Sequence, residues 1–423
     1  MRQSQLFTKT RKEAPTDETS KNAQLLIRAG YVHKEMAGVY SYLPLGLRVF
    51  NKITEIIREE MNAVGGQEVL MSSLQDPELW KKTDRWSDEN VDVWFKSELK
   101  AGGDVGFGWT HEEDITAIAQ KFVSSYRDLP FSAYQFQNKF RNETRAKSGI
   151  MRTREFVMKD MYSFSRTNEE HQDLYEKIAN AYTKVYARVG IGERTYRTFA
   201  SGGAFSKYSH EYQTVCDAGE DLIYVHEGKG VAVNKEVLED EVLADLGISR
   251  DELVEKKAIE VGNIFSLGTR FSDALGLTFK DEDEANKPVI MGCYGIGPGR
   301  LMGTIVELLS DEKGIVWPEA VSPFTVHLVG LNLEDAEVRD YAEGVYTNLK
   351  NRGVSVLFDD RDLRPGEKFA ESDLIGIPYR VVVSRKTKDE GKFEEVRRST
   401  GEIEYVSEEE LFNDFASQVT NES

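Results

Sequence analysis

The sequence predicts an α+β molecule: a first domain built on an antiparallel sheet with helices packed on it, then a smaller α/β domain. Three observations carry this. Residues 105–164 alternate turns with short apolar runs, Phe131 to Phe136 and Phe156 to Phe164, as half-buried strands do. The stretch WPEAVSP, with Pro318 and Pro323, reads as a linker. Beyond it, strand-like FTVHLVGL, a helix from Asp335 to Asn351, strand-like VSVLF, a short helix near Leu374 and strand-like YRVVV alternate, the order of a compact α/β domain. The expected division is residues 1–320 and 321–423.

Other elements come in chain order. Leu47, Phe50, Ile53, Ile56, Ile57 and Met61 recur at three- and four-residue spacing, which makes one apolar helical stripe ended by Gly65-Gly66. The next stretch, QEVLMSSL, reads as a strand. Between residues 233 and 262, Val237, Leu238, Val242, Leu243 and Leu246 form a helix stopped at Gly247. Ser249 with Glu252 is a capping-box signal for a second one, so a small two-helix insertion is expected there. VIMGCYGIGPGR is a strand and Gly-rich turn, followed by a helix from about Leu301 to Ser310.

Composition narrows the function classes. No apolar run approaches the roughly 18 residues of a membrane span, and the N-terminus MRQSQLFTKTRKEAPTDE lacks a signal-peptide core. A cytoplasmic protein without membrane contact is the expectation. Cys216 and Cys293 are the two cysteines and neither belongs to a CxxC or Cys/His cluster, so neither zinc nor a disulfide framework is expected. The net charge of −19 opposes a polyanionic partner on average, but its distribution is uneven. From Lys139 to Lys159 seven basic residues face two acidic ones, and from Arg380 to Arg398 seven face four. Residues 227–260 instead hold ten acidic and five basic side chains.

The first basic island, NKFRNETRAKSGIMRTREFVMKDMYSF, places Arg141 and Arg152 eleven residues apart around the polar loop RAKSG, between flanks that read as paired strands. In such a hairpin two guanidiniums converge on one polyphosphate, because the planar fork binds phosphate oxygens bidentately and stays charged. Phe156 would offer a flat face to a base. Taken alone, the same residues also describe a solvated surface hairpin.

Together, FRNE, the loop and MRTREF resemble motif 2 of the class II aminoacyl-tRNA synthetases, and YGIGPGR resembles their motif 3. The resemblance implies that Arg141 contacts the amino-acid carboxylate and the α-phosphate of ATP. Glu143 would meet the adenine edge, with Thr153 and Phe156 in the same ATP site. Arg152 and Arg300 would hold outer phosphate oxygens or the adenine face.

WTHEED bears on the amino acid. Proline carries a secondary ammonium and so needs an anion, a neutral acceptor and an apolar wall. Thr110 and Glu112, two apart on an extended stretch, would face one side, and resemble the Thr-x-Glu loop of prolyl-tRNA synthetases. THEE can equally open a helix, with Thr110 as N-cap and Glu113 at N3. His210 in KYSHEY resembles the family's Ser-His-Glu loop, and Cys293 a pocket-wall cysteine; a structural histidine and a buried small residue are the plainer alternatives.

The resemblance spans nearly the whole chain. It begins at LIRAGYVHKEMAGVYSYLPLGLRVF and continues through EVLMSSLQDPELW, similar to motif 1, which in the family builds a homodimer interface. It ends at VLFDDRDLRPGEKFAESDLIGIP in an anticodon-binding domain, where Arg361, Arg364 and Lys368 are candidate anticodon contacts, or else members of a solvated turn. Three departures stand out. Ser72 takes the place of the usual motif 1 proline, the loop from Gly202 to His210 reads as longer than usual, and the acidic stretch at 233–262 stands where bacterial-type relatives often insert an editing domain. The implied reaction uses Mg2+ with ATP to make prolyl-adenylate from L-proline, then charges tRNA(Pro). Rival readings are a synthetase for threonine, serine, glycine or histidine, and a synthetase-like ligase or RNA-binding regulatory protein that charges no tRNA.

Overall fold

The computed structural model describes residues 1–144, 146–201 and 208–421. Arg145, in the motif 2 loop, and the expected lengthening of the loop before His210 lie outside the described residues. Two compact units are formed, one from Met1–Glu35, Tyr40–Lys52 and Ile305–Ser423, the other from Met36–Val39 and Ile53–Thr304.

A nine-stranded sheet organises the larger unit. Its strands are β1 (Gly66–Glu68), β2 (Phe131–Phe140), β3 (Glu155–Ser165), β4 (Thr195–Ser201), β5 (Tyr208–Val215), β6 (Asp221–His226), β7 (Val231–Asn234), β8 (Val254–Gly268) and β9 (Ile290–Ile296). Their order is β5-β4-β7-β6-β8-β9-β3-β2-β1, and β5 also pairs with β8, so β4 to β8 close into a ring. The β2–β3 hairpin is antiparallel with Phe140 opposite Glu155, as the basic island implied. Alternation along β3 divides its residues between two faces. Tyr162 and Phe164 join a core with Met291, Leu267 and Phe271, while Lys159 turns the other way, to the Tyr182 hydroxyl and the Tyr294 carbonyl.

Helix α1 (Pro44–Ala63) forms where its spacing predicts. Its buried stripe, however, begins with Leu45 and Val49, and Leu47 is exposed. QEVLMSSL is strand only at β1 and again at Leu74–Gln75. Between them Met71 loses strand partners because glutamine side chains take its backbone: its N–H donates to Gln135 Oε1 at 3.0 Å and its carbonyl accepts from the Gln137 amide. The helices of the larger unit include α2 (Glu112–Ala119), α3 (Asn168–Arg188) and α4 (Asp240–Leu246), and α5 (Pro298–Leu308) comes after the Gly-rich turn.

The expected second helix of the 233–262 stretch does not form. The Ser249/Glu252 capping box is present but closes a three-residue 3-10 turn. From Val254 onward the fifteen residues of β8 run through the centre of the sheet. VEKKAIEVGNIF does not alternate strictly, but it pairs with β6 and β9, and that long-range pairing overrides a local helix-start signal.

In the smaller unit, β10 (Val326–Gly330), β11 (Val356–Asp359), β12 (Tyr379–Val383), β13 (Lys392–Arg397) and β14 (Ile403–Ser407) form a sheet in the order β11-β10-β12-β13-β14. The first three are parallel and the last two antiparallel. Helix α6 (Ala336–Asn351) is capped by Asp335, whose side chain accepts from Glu337 N, and α7 (Pro365–Ile375) has Pro at its first position. Val326, Leu328, Leu349, Phe358, Val381 and Phe393 form the core.

Candidate active site

The cleft on the sheet face of β3, β8 and β9 is lined by Arg141, Glu143, Arg152, Thr153, Phe156 and Arg300, together with Met158, Glu260, Asn263 and Gly295, and measures about 540 Å3. The β2–β3 register brings these residues together. Arg141 N donates to Arg154 O at 2.8 Å, which closes the hairpin end, and the Arg141 guanidinium lies 5.3 Å from the Phe156 ring centroid. Arg141 Nε is buried without a hydrogen-bond partner among the described residues. Burial, and then the charge of Arg300, pull its pKa below the ordinary guanidinium value. A half-buried cation with an idle donor beside a second cation gains from an anionic ligand.

Arg300 is held from two sides, Nε donating to Met151 O at 2.9 Å and Nη1 to Glu260 O at 2.9 Å. Arg152 pairs with Glu143 at 2.9 Å and approaches Glu220 at 3.6 Å. At Gly295 a Cβ would crowd the Asn263 side chain, whose Oδ1 would lie 2.9 Å away, so glycine leaves that side chain its place over the cleft floor.

One two-residue step along the same sheet face, about 6.8 Å, brings Cys293 in place of Gly295. There the Cys293 thiol donates to Glu112 Oε1 at 3.3 Å, and the Thr110 hydroxyl donates to Glu112 Oε2 at 2.6 Å. Thr110, Glu112 and Cys293 therefore meet. Neither expected backbone state holds in full: α2 starts at Glu112 with His111 as N-cap. Thr110 is not the cap, because its hydroxyl is committed to Glu112.

His111, between the two, carries no signal in the sequence that marks it as a site residue. Burial and then Lys139 lower its pKa to about 4, so its ring is neutral. Nδ1, 2.6 Å from Lys139 Nζ, accepts, and Nε2 donates to the Ser72 carbonyl at 2.9 Å. Lys139 in turn is 2.8 Å from Asp160 Oδ1, and Gln135 and Tyr162 donate to Asp160 Oδ2 at 2.9 and 2.8 Å. This buried chain fixes the backbone that carries Thr110 and Glu112. Arg85, also unforeseen, pairs with Glu112 at 3.2 Å and Glu113 at 3.0 Å. Burial opposes the Glu112 charge, yet Arg85 and Thr110 hold its carboxyl below the ordinary range. Burial, with the Glu112 charge beside it, pushes Glu113 up to about 7. No sequence spacing marks Arg85 or Asp160, which act through the fold.

His210 is not brought to this pocket. It pairs with Ile264, and Ile264 with Tyr294, whereas Cys293 pairs with Phe265. Paired residues share a face and neighbours alternate, so His210 lies on the opposite side of the sheet. There the Tyr175 hydroxyl of α3 is 2.8 Å from its Nδ1, and burial, then Arg197, lower its pKa to about 4.

In the smaller unit Arg361, Arg364 and Lys368 line one cavity of about 1430 Å3 with Arg339 and Asp360. Arg361 is bound to both oxygens of Asp359 at 2.8 Å and to Glu371 at 2.7 Å. Lys368 is buried, donating to Gly330 O at 2.6 Å. Arg364 is exposed. Among the described residues no group of three or more His, Cys, Asp or Glu side chains is arranged to hold a metal ion, and no helix is long and apolar enough to cross a membrane.

Comparison with known proteins assigns both parts of the chain to known domain families. Residues 95–308 match the class II tRNA synthetase core domain of the G, H, P, S and T group, and residues 321–418 match an anticodon-binding domain. A proline--tRNA ligase of Agrobacterium fabrum is 37% identical over 439 residues, covering 98% of this chain and 99% of that protein. One of Bacillus cereus is 32% identical over 561 residues, covering 97% and 98%. That second alignment exceeds the 423 residues of this chain by 138 positions, so the Bacillus protein carries residues without a counterpart here. A crystal structure of Cryptosporidium parvum prolyl-tRNA synthetase, complexed with halofuginone and AMPPNP, shares the fold at a TM-score of 0.79 and 17% identity, over 95% of this chain and 77% of that one. With 37% identity across 98% of its length, the chain belongs to the proline--tRNA ligase family of class II aminoacyl-tRNA synthetases.

Proposed function

We propose that the chain activates L-proline with ATP to form prolyl-adenylate and transfers the prolyl group to the 3′ end of tRNA(Pro). The observation that carries this is the adjacency of two sites on one sheet face. The arginine cleft of Arg141, Arg152 and Arg300 lies one two-residue step from the Thr110–Glu112–Cys293 cluster. The proline carboxylate, placed at Arg141, attacks the α-phosphate in line; pyrophosphate leaves, and the terminal ribose hydroxyl of the tRNA then takes the prolyl group. The nucleophile is already an anion, so the protein positions reactants and neutralises developing charge. Arg141 takes the shared carboxylate and phosphate contact, Phe156 the adenine face, Thr153 and Glu143 the rest of the nucleoside, and Arg152 and Arg300 the outer phosphates. Glu112 and Thr110 receive the proline nitrogen against Cys293. ATP enters as its Mg2+ complex.

Residues 1–320 and 321–423 are read as the catalytic and anticodon-binding parts, with Arg364 the candidate in the second part that is free to meet RNA. The family's homodimer is supported by Val69, Leu70 and Leu74, apolar and exposed beside β1. A chain lacking the additional residues of its longer relatives is read as discriminating by its pocket, and lost ring methylenes are worth only about 1–3 kcal/mol each. Pyrophosphate exchange measured with each of the twenty amino acids, followed by charging of total tRNA, tests the reading. Proline is expected to be fastest, with measurable exchange for alanine and no hydrolysis of Ala-tRNA. Exchange faster with another amino acid, or no charging, overturns it.

A further inference from the structure

Arg85 lies in KKTDRW, outside every segment that points to function in the sequence. Its side chain is 6% exposed, and its Nη1 serves both Glu112 Oε2 at 3.2 Å and Glu113 Oε1 at 3.0 Å. The ring centroids of Trp109, Trp80 and Phe271 stand 4.8, 5.0 and 5.3 Å from its Cζ. An aromatic box of this kind leaves the cation no solvent to replace its carboxylates. Glu113 is fully buried and receives the Thr83 hydroxyl at 2.6 Å, so it serves as the inner anchor. Glu112 Oε2 is filled by Arg85 and by Thr110. Oε1 receives only the Cys293 thiol among the described residues, a weak donor.

We propose that Arg85 is the specificity-positioning residue of the amino-acid pocket: anchored by Glu113, it occupies Glu112 Oε2 and leaves two acceptors, Glu112 Oε1 and the Thr110 oxygen, for the substrate nitrogen. This rests on the reading that Glu112 and Thr110 receive that nitrogen. Thr110 spends its proton on Oε2, so its lone pairs stay available. Two acceptors match the two N–H groups of a secondary ammonium. A primary ammonium brings a third N–H into a buried site with no partner for it, which costs binding. Arg85 thus sets the donor count that separates a secondary from a primary amino acid.

The test is pyrophosphate exchange with proline and with alanine for wild type, Arg85→Met, Arg85→Lys, Glu113→Gln, Arg85→Met/Glu113→Gln and Glu112→Gln. Arg85→Met is expected to raise the KM for proline about 10-fold or more, to leave the KM for ATP within about twofold, and to lower the proline-over-alanine preference about fivefold. Arg85→Lys recovers part of both. The double variant removes one of the two carboxylates stranded by Arg85→Met, the fully buried Glu113, so its thermal midpoint recovers in part while both kinetic defects stay. Wild-type KM and preference in the folded double variant overturn the proposal, provided that Glu112→Gln raises the KM for proline. An unchanged KM in Glu112→Gln overturns the underlying reading as well.

Discussion

Arg141 and Arg361 both stand in sequence stretches rich in charge, and the fold treats them in opposite ways. Arg141 keeps a buried Nε without a partner among the described residues, next to Arg300, in an open cleft. Arg361 spends its guanidinium on Asp359 and Glu371, and its neighbour Lys368 donates to two backbone carbonyls. In the second basic island, Lys388 pairs with Glu337 and Arg398 with Asp311. A cation serves a ligand only where the fold leaves it underpaired. Arg28, Arg197 and Arg380 also keep a buried Nε without a partner among the described residues, but Arg141 alone of these four lines the cleft with Arg152 and Arg300.

Substitutions at these positions sharpen the contrast. Arg141→Ala is expected to slow adenylate formation roughly 100-fold, equivalent to about 2.7 kcal/mol, in single-turnover reactions with unchanged thermal stability. Lys368→Met is expected to cost about 2 kcal/mol of stability in denaturant unfolding, because it leaves buried carbonyls without a donor, while proline-dependent exchange holds at the wild-type rate. The smallest effect belongs to Arg364→Ala. Loss of one exposed cation should raise the KM for tRNA a few-fold and lower the salt dependence of charging by about one ion, with exchange untouched.

Much of the fold is legible in the sequence. The β2–β3 hairpin, α1, α5 and the alternation of the smaller unit come from periodicity and from Gly and Pro placement, which are local signals. The β8 strand reads wrongly as helix because Ser249 and Glu252 really do form a capping box, while pairing with β6 and β9 decides the fifteen residues from Val254 onward. In the site, Arg141, Arg152, Phe156 and Arg300 meet as their spacing on a hairpin and a turn implies. Thr110, Glu112 and Cys293 meet too, but with a helix start between the first two. Arg85, Lys139 and Asp160 are illegible as site residues, since their roles come from burial beside a loop distant in sequence. His210 is misplaced by its motif for a simpler reason: one residue along a strand changes the face.

The most direct measurement compares proline-dependent pyrophosphate exchange by Arg141→Ala and Arg361→Ala at one temperature where both are folded. An underpaired arginine proposed to meet the α-phosphate and one ion-paired to Asp359 and Glu371 predict rates that differ by about 100-fold, with Arg361→Ala near wild type. Equal rates in the two variants would contradict the account.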